Sequence, residues 1–268
     1  MNKFIVIMSE NSIVLDPLSY TSYYVECCFN DVFLASGTCF FVKRNDVDYL
    51  ITNWHIVSGQ NNETKEYLDK KHGAIPNNLK VHIFKNQSIV ERTIYTIPLY
   101  DENDTPLWLE HPSFKEKVDV VAIKTTIPTD MLINYVEEAI EPYNEETKAN
   151  IKDDVYVLGF PFGISEGEGF PIWKRASIAS EPIIDIQDRP LMYIDTASRS
   201  GMSGSPVIYK ERRSVAISDT HPAKATKFSR FFMEFIGVYS GRIGADDEFK
   251  AQLGRVWKKR VIDEIING

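Results

Sequence analysis

Cysteine is scarce in this chain of 268 residues: it carries three, Cys27, Cys28 and Cys39, all near one end. An odd, clustered set cannot staple a whole chain, and none has the paired Cys or His spacing that a zinc site needs. Sparse, unpaired cysteine suits a reducing compartment, so a cytoplasmic protein is expected. Long apolar runs are also lacking. The opening MNKFIVIMSENS holds one lysine and a short apolar stretch, Phe4 to Met8, which reads as a strand over residues 3–8 and is too short for a secretory signal. No segment approaches the ~18 apolar residues of a membrane span, so no membrane partner is expected.

Positive charge is in deficit too. The net charge is −8 with a pI near 5.3, which argues against nucleic acid as a main partner, because phosphate recognition rests on a positive field. Basic residues cluster only at Lys210, Arg212, Arg213, Lys224, Lys227 and Arg230, read as a solvated loop or hairpin. Dinucleotide and phosphate-loop fingerprints are missing, as is any His/Asp/Glu group with metal spacing, so no cofactor and no metal are expected.

What the chain does have is short runs rich in branched and aromatic residues, which suit a pleated, half-buried surface. YYVECCFN, VFLASGTCFFVK and DYLITNWHIV follow one another over residues 22–57, separated by Asn30-Asp31, Ser36-Gly37 and Arg44-Asn45-Asp46, which is hairpin punctuation. A polar stretch from Gly59 to Asn78 reads as a surface loop. Strands resume at KVHIF, RTIYTIPLY and VDVVAIK. Residues 127–150, acidic and bearing Pro128 and Pro142, read as the connection between two halves. Beyond it come DDVYVLGFPFG, RASIASEPII, LMYIDTAS, SPVIYK and FFMEFIGVYSG. The end differs: from Asp246 to Ile266 the apolar residues fall at i, i+3, i+4 steps and predict an amphipathic helix. The class is mainly β.

The segment that carries chemistry is Ser200-Gly201-Met202-Ser203-Gly204-Ser205-Pro206. A nucleophilic serine needs an exposed hydroxyl with backbone N–H groups nearby, aimed at a developing oxyanion. Flanking glycines permit the tight turn that this requires. Ser205 is followed by Pro206 and not by the glycine of such a turn; Ser200 is followed by Gly201 but has no glycine on its other side. Upstream, His55 follows the strand YLITNW, and Asp119 opens the apolar strand of KVDVVAIK.

SGTCFFVKRNDVDYLITNWHIV, KVDVVAIK, VYVLGFPFG, GMSGSPV and FIGVYSG together resemble the trypsin-like serine peptidases of the chymotrypsin fold, over roughly residues 22–245. The order His55, Asp119, Ser203 is that of the chymotrypsin arrangement. The resemblance implies two six-stranded antiparallel barrels with a C-terminal helix: residues 1–140 carrying His55 and Asp119, 141–245 carrying Ser203, and 246–268 the helix. It implies a Ser-His-Asp triad, with the Gly201 and Ser203 N–H groups as the oxyanion hole. His72, His82, His111 and His221 lack the strand context of His55, and Asp101, Asp104, Asp153 and Asp154 read as loop or strand-edge acids.

By position relative to Ser203, a substrate pocket is expected from Ala197, Thr196, Ser198, Tyr239, Ser240, Gly241 and Arg242. Ala197 at its base cannot select Lys or Arg. The direction of Asp195 is left open by strand alternation, and an inward Arg242 or Arg199 would favour acidic residues. The expected partner is therefore a protein or peptide substrate, cut by limited, target-specific proteolysis. A silent binding module of the same fold, or a latent protease awaiting an activator, is the alternative. Met202 stands where secreted relatives carry an acid that captures a newly cut N-terminus, so no such activation is expected. The relatives' disulfide beside the histidine is missing as well: Cys39 is the candidate for one half of it, but Ile56 stands where its partner would be.

Overall fold

A computed structural model of the chain describes residues 5–8, 11–70, 72–86, 88, 90–141, 149–164, 169–197, 200–217, 226–242 and 253–268. The strands are β1 (Ile5–Met8), β2 (Asn11–Val14), β3 (Ser22–Phe29), β4 (Val32–Arg44), β5 (Val47–Thr52), β6 (Asn78–Lys85), β7 (Arg92–Pro98), β8 (Trp108–Leu109), β9 (Val121–Thr125) and β10 (Met131–Leu132) in the first part. The second part holds β11 (Asp154–Gly159), β12 (Ile172–Ile178), β13 (Leu191–Asp195), β14 (Pro206–Ile217), β15 (Thr226–Arg242) and β16 (Leu253–Lys258). Among the described residues two α-helices complete it, α1 (Trp54–Ser58) and α2 (Arg260–Asn267).

β11 to β16 close into a six-stranded antiparallel barrel in the order β11-β12-β13-β16-β15-β14. The first part forms an eight-stranded sheet along β10-β6-β3-β4-β5-β9-β8, with β7 paired to β6, so it has more strands than the expected six. Turn chemistry sets the register. Asn45 and Asp46 both adopt positive φ, 49° and 59°, which a two-residue hairpin of matching twist requires between β4 and β5. β6 alternates from Asn78 to Ile83, burying Leu79, Val81 and Ile83 between half-buried Lys80 and His82, and then buries Phe84 as well.

The terminal helix is shorter than its sequence pattern predicts. It starts at Arg260, and Leu253–Lys258 is the strand that closes the barrel between β13 and β15. The expected helix over 246–252 lies outside the described residues. Gly254 explains the difference: a Cβ there would lie 2.6 Å from the Tyr239 ring and 2.9 Å from the Thr196 methyl, so the position needs glycine. Mid-helix the same glycine would cost about 1 kcal/mol against alanine.

One apolar cluster joins the two parts. Phe40, Val42, Ile51, Val118, Val120 and Ala122 pack with Leu158, Ile208, Phe235 and Trp257, and with Val261, Ile262 and Ile265 of α2. At its rim Arg44 bonds both Glu137 and Asp263 at 2.6 Å, and Lys259 reaches Glu137 at 3.0 Å. The helix is thus tied to the β4–β5 turn and to the segment after β10. Burial alone would push the Glu137 carboxyl up, but hydrogen bonds from Arg44 and Lys259 outweigh it and hold the group below the usual glutamate range.

A carboxyl depressed in this way stabilises the fold above its unfolded value, near 4.3, and that stabilisation is lost as pH falls through the lower folded value. Glu137→Gln should therefore lower the melting temperature at pH 7, and the gap to the natural protein should narrow as pH falls below about 4. A gap that is constant across a melting series from pH 3 to pH 7 would contradict the clamp.

Candidate active site

Asp119 is the buried charge of the molecule's centre, 1% exposed. An isolated carboxylate there would be costly, so its partners matter. Three donors converge on it. The His55 backbone N–H reaches Oδ1 at 2.9 Å, His55 Nδ1 lies 2.7 Å from Oδ2, and the Ser240 hydroxyl donates to Oδ2 at 2.5 Å. A carboxylate only accepts, so Nδ1 carries the proton; in the neutral imidazole the lone pair is then on Nε2. Asn53 adds a bond from Nδ2 to the Asp119 carbonyl at 2.6 Å, and Val118 and Val120 anchor the backbone on either side in the core.

The folding reason is local. β5 ends at Thr52, Asn53 is extended, and α1 then turns His55 back over the start of β9, ending on Gly59 at φ 67°. Ser240 comes from β15 of the barrel, so the carboxylate is where the two parts meet. The sequence placed Ser240 in a pocket wall; its hydroxyl instead turns to Asp119. Asn53 was missed altogether, and its only sequence signal is a polar residue between an apolar strand and His55.

Ser203 sits in the tight loop before β14. Gly201 and Gly204 adopt φ 94° and 85°, and a Cβ at Gly201 would fall 2.2 Å from the Phe160 carbonyl oxygen. In a trans peptide the C=O and the following N–H point opposite ways. The Phe162 N–H holds the Ser200 carbonyl at 2.7 Å, and the Ser205 N–H holds that of Met202 at 3.1 Å. The N–H groups of Gly201 and Ser203 are thereby turned the other way, and neither has an acceptor among the described residues. Ser203 Oγ lies 4.0 Å from the Cβ position of Gly241. It makes no hydrogen bond to His55 among the described residues; such bonds are commonly long until substrate is bound. The chemistry open to this arrangement is acyl transfer: a hydroxyl nucleophile, an imidazole base held in one tautomer, and two backbone donors.

The expected pocket residues divide. Thr196 is buried, its methyl facing Gly254 beside the Tyr239 ring, and its hydroxyl has no partner among the described residues. Tyr239 is fully buried, and Ala197 is exposed. Asp195 is exposed on β13, opposite in direction to its buried neighbours Ile194 and Thr196. Ser198, Arg199 and the Arg242 side chain lie outside the described residues, although the Arg242 backbone pairs with Gly254. Gly254, packed against Thr196 and Tyr239, has no such place in the sequence reading, which puts it in a helix.

The competing residues are engaged elsewhere. His82 bonds Glu26, His72 lies beside Asp69, and buried His111 bonds Glu264; His221 lies outside the described residues. Asp101 caps its own turn, and Asp154 pairs with Arg175. Cys39 is not the residue that faces Ile56. Gly37 is, its Cβ position 2.5 Å from the Ile56 side chain, while Cys39 sits in the core opposite Tyr23. All three cysteines are free and buried, and burial pushes the Cys27 thiol up to about 12. Among the described residues no three His, Cys, Asp or Glu are grouped to hold a metal, and no helix is long and apolar enough to cross a membrane.

Comparison with known proteins adds three findings. The family model described as a trypsin-like peptidase domain matches residues 37–217. Among solved structures, the serine endoprotease from Yersinia pestis is similar at 12% identity and TM-score 0.49, over 93% of this chain; the chain spans 62% of that protein's length. Rv3671c from M. tuberculosis H37Rv, in an inactive form, is similar at 18% identity and TM-score 0.47, over 98% of this chain and 96% of that one. No curated protein matches the sequence.

Gly201→Ala keeps the backbone N–H but puts a Cβ 2.2 Å from the Phe160 carbonyl oxygen; if that N–H is an oxyanion donor, its displacement should slow hydrolysis of an activated ester by about 100-fold or more with little change in the far-ultraviolet circular dichroism spectrum. Turnover at the natural rate in a folded variant would remove Gly201 from the site.

Proposed function

Because the chain belongs to the trypsin-like peptidase family through residues 37–217, we propose that it is a serine endopeptidase with His55, Asp119 and Ser203 as its triad. The observation that carries the reading is the His55–Asp119 pair, bonded through both carboxylate oxygens and buttressed by Ser240. In this account Ser203 Oγ attacks the scissile carbonyl while His55 Nε2 takes its proton. The oxyanion accepts from the Gly201 and Ser203 N–H groups. His55 then gives the proton to the leaving amine, and water repeats the sequence to free Ser203 from the acyl-enzyme. Asp119 holds the imidazole tautomer and stabilises the imidazolium. No step calls on a cofactor.

Around the expected primary pocket, the buried Thr196 and Tyr239 packed on Gly254 place no charge, and Asp195 faces away from them. These residues support cleavage after a small or apolar residue; an inward Arg199 or Arg242 would favour acidic residues instead. A second reading, a latent protease that closes Ser203 onto His55 only with a partner or a particular substrate bound, is favoured by one fact: the Ser203 hydroxyl is not bonded to His55 among the described residues. Both readings are of limited, target-specific proteolysis.

A peptide-library cleavage profile tests the proposal. The natural protein should cut after small or apolar residues, and Ser203→Ala should cut nothing. Cleavage that persists in Ser203→Ala would overturn the mechanism, and cleavage mainly after Lys or Arg would overturn the pocket.

A further inference from the structure

We propose that Thr38 is a positioning residue for the oxyanion donors, an inference that rests on the serine-peptidase reading. Thr38 lies on β4, in the first part of the chain, and is fully buried. Every polar group it has is engaged, the N–H and hydroxyl across the junction and the carbonyl within the first part. Its N–H donates to the Ser203 carbonyl at 2.8 Å, and its hydroxyl donates to the Gly201 carbonyl at 2.8 Å. That hydroxyl accepts from the Phe160 N–H at 3.3 Å, and its carbonyl accepts from the Thr52 hydroxyl at 2.9 Å.

The carbonyls of four successive residues in the nucleophile loop are therefore each held. Phe162 N–H holds that of Ser200, Thr38 Oγ1 that of Gly201, Ser205 N–H that of Met202, and Thr38 N–H that of Ser203. The two candidate oxyanion N–H groups lie between pinned carbonyls, so the peptide planes cannot rotate without breaking one of these bonds. Three of the four donors are backbone and cannot be removed by a side-chain change. The Thr38 hydroxyl is the one side-chain donor, and it also ties the loop to the turn after β11 through Phe160. Room for it is left by Gly159, where a Cβ would lie 2.8 Å from Thr38 Oγ1. Valine matches threonine in shape but offers no hydroxyl, so Thr38→Val would leave the Gly201 carbonyl and the Phe160 N–H without their partner. The loop would then relax, and the donors would move off the oxyanion. Displacements of about 1 Å at a site can cost on the order of 100-fold in rate.

Thr38→Val and Thr38→Ser are compared with the natural protein, well below their melting temperatures, on a peptide substrate and by amide hydrogen exchange. Thr38→Val should lower kcat by about 10- to 100-fold with KM within about 2-fold, and Thr38→Ser should restore kcat to within about 3-fold. Exchange in the peptide spanning Gly201 to Ser205 should be about 10-fold faster in Thr38→Val and unchanged in Thr38→Ser. A natural kcat in folded Thr38→Val, a loss confined to KM, or unaltered exchange would each overturn the proposal. If Thr38→Val does not fold, Thr38→Ala replaces it with the same expectations. If the natural protein turns nothing over, the peptidase reading fails, and exchange alone decides whether Thr38 holds the loop.

Discussion

The organisation of this molecule turns on the burial of the Asp119 carboxylate. A charge placed at 1% exposure is tolerable only when its oxygens are satisfied, and the fold delivers its donors from separate places. The imidazole and backbone N–H of His55 come from the turn after β5, and the Ser240 hydroxyl comes from β15. Meeting that demand brings the eight-stranded sheet and the six-stranded barrel together at one point. It also puts a proton on His55 Nδ1, the tautomer that the proposed mechanism requires.

The rest of the structure holds that junction. The apolar cluster from Phe40 through Val120 to Phe235 and Trp257 is shared by sheet, barrel and terminal helix, so the parts cannot slide without opening a core. Arg44, bonded to Glu137 and Asp263, ties the helix to the first part. Thr38 repeats the arrangement on a smaller scale beside the nucleophile loop, with one residue of the sheet bonded to both Gly201 and Ser203 of the barrel.

Much of this was legible in the sequence. Asn45-Asp46 announced the β4–β5 hairpin, Gly201 and Gly204 announced the sharp loop, and the chain order of His55, Asp119 and Ser203 is the order in which the fold brings them to one region. What escaped were residues whose role depends on a partner distant in sequence. Ser240 and Asn53 carry no local pattern that points to Asp119. Thr38 is unremarkable until Gly201 and Phe160 are seen around it. Gly254 was overridden by an apolar spacing that a helix and a short strand share, although a glycine inside the pattern was itself the contrary signal. The strand number of the first part was also beyond reach, because short pairings such as those of β8 and β10 have no periodicity to read.

The central claim is that Ser203 is a nucleophile activated by His55 and Asp119. Intact-mass measurement after treatment with a fluorophosphonate, with the modified residue mapped by fragmentation, tests it most directly. The account predicts one adduct per chain, on Ser203, absent from Ser203→Ala and formed far more slowly in His55→Ala. Well-folded natural protein that stays unmodified, or carries the adduct on another residue, would contradict it.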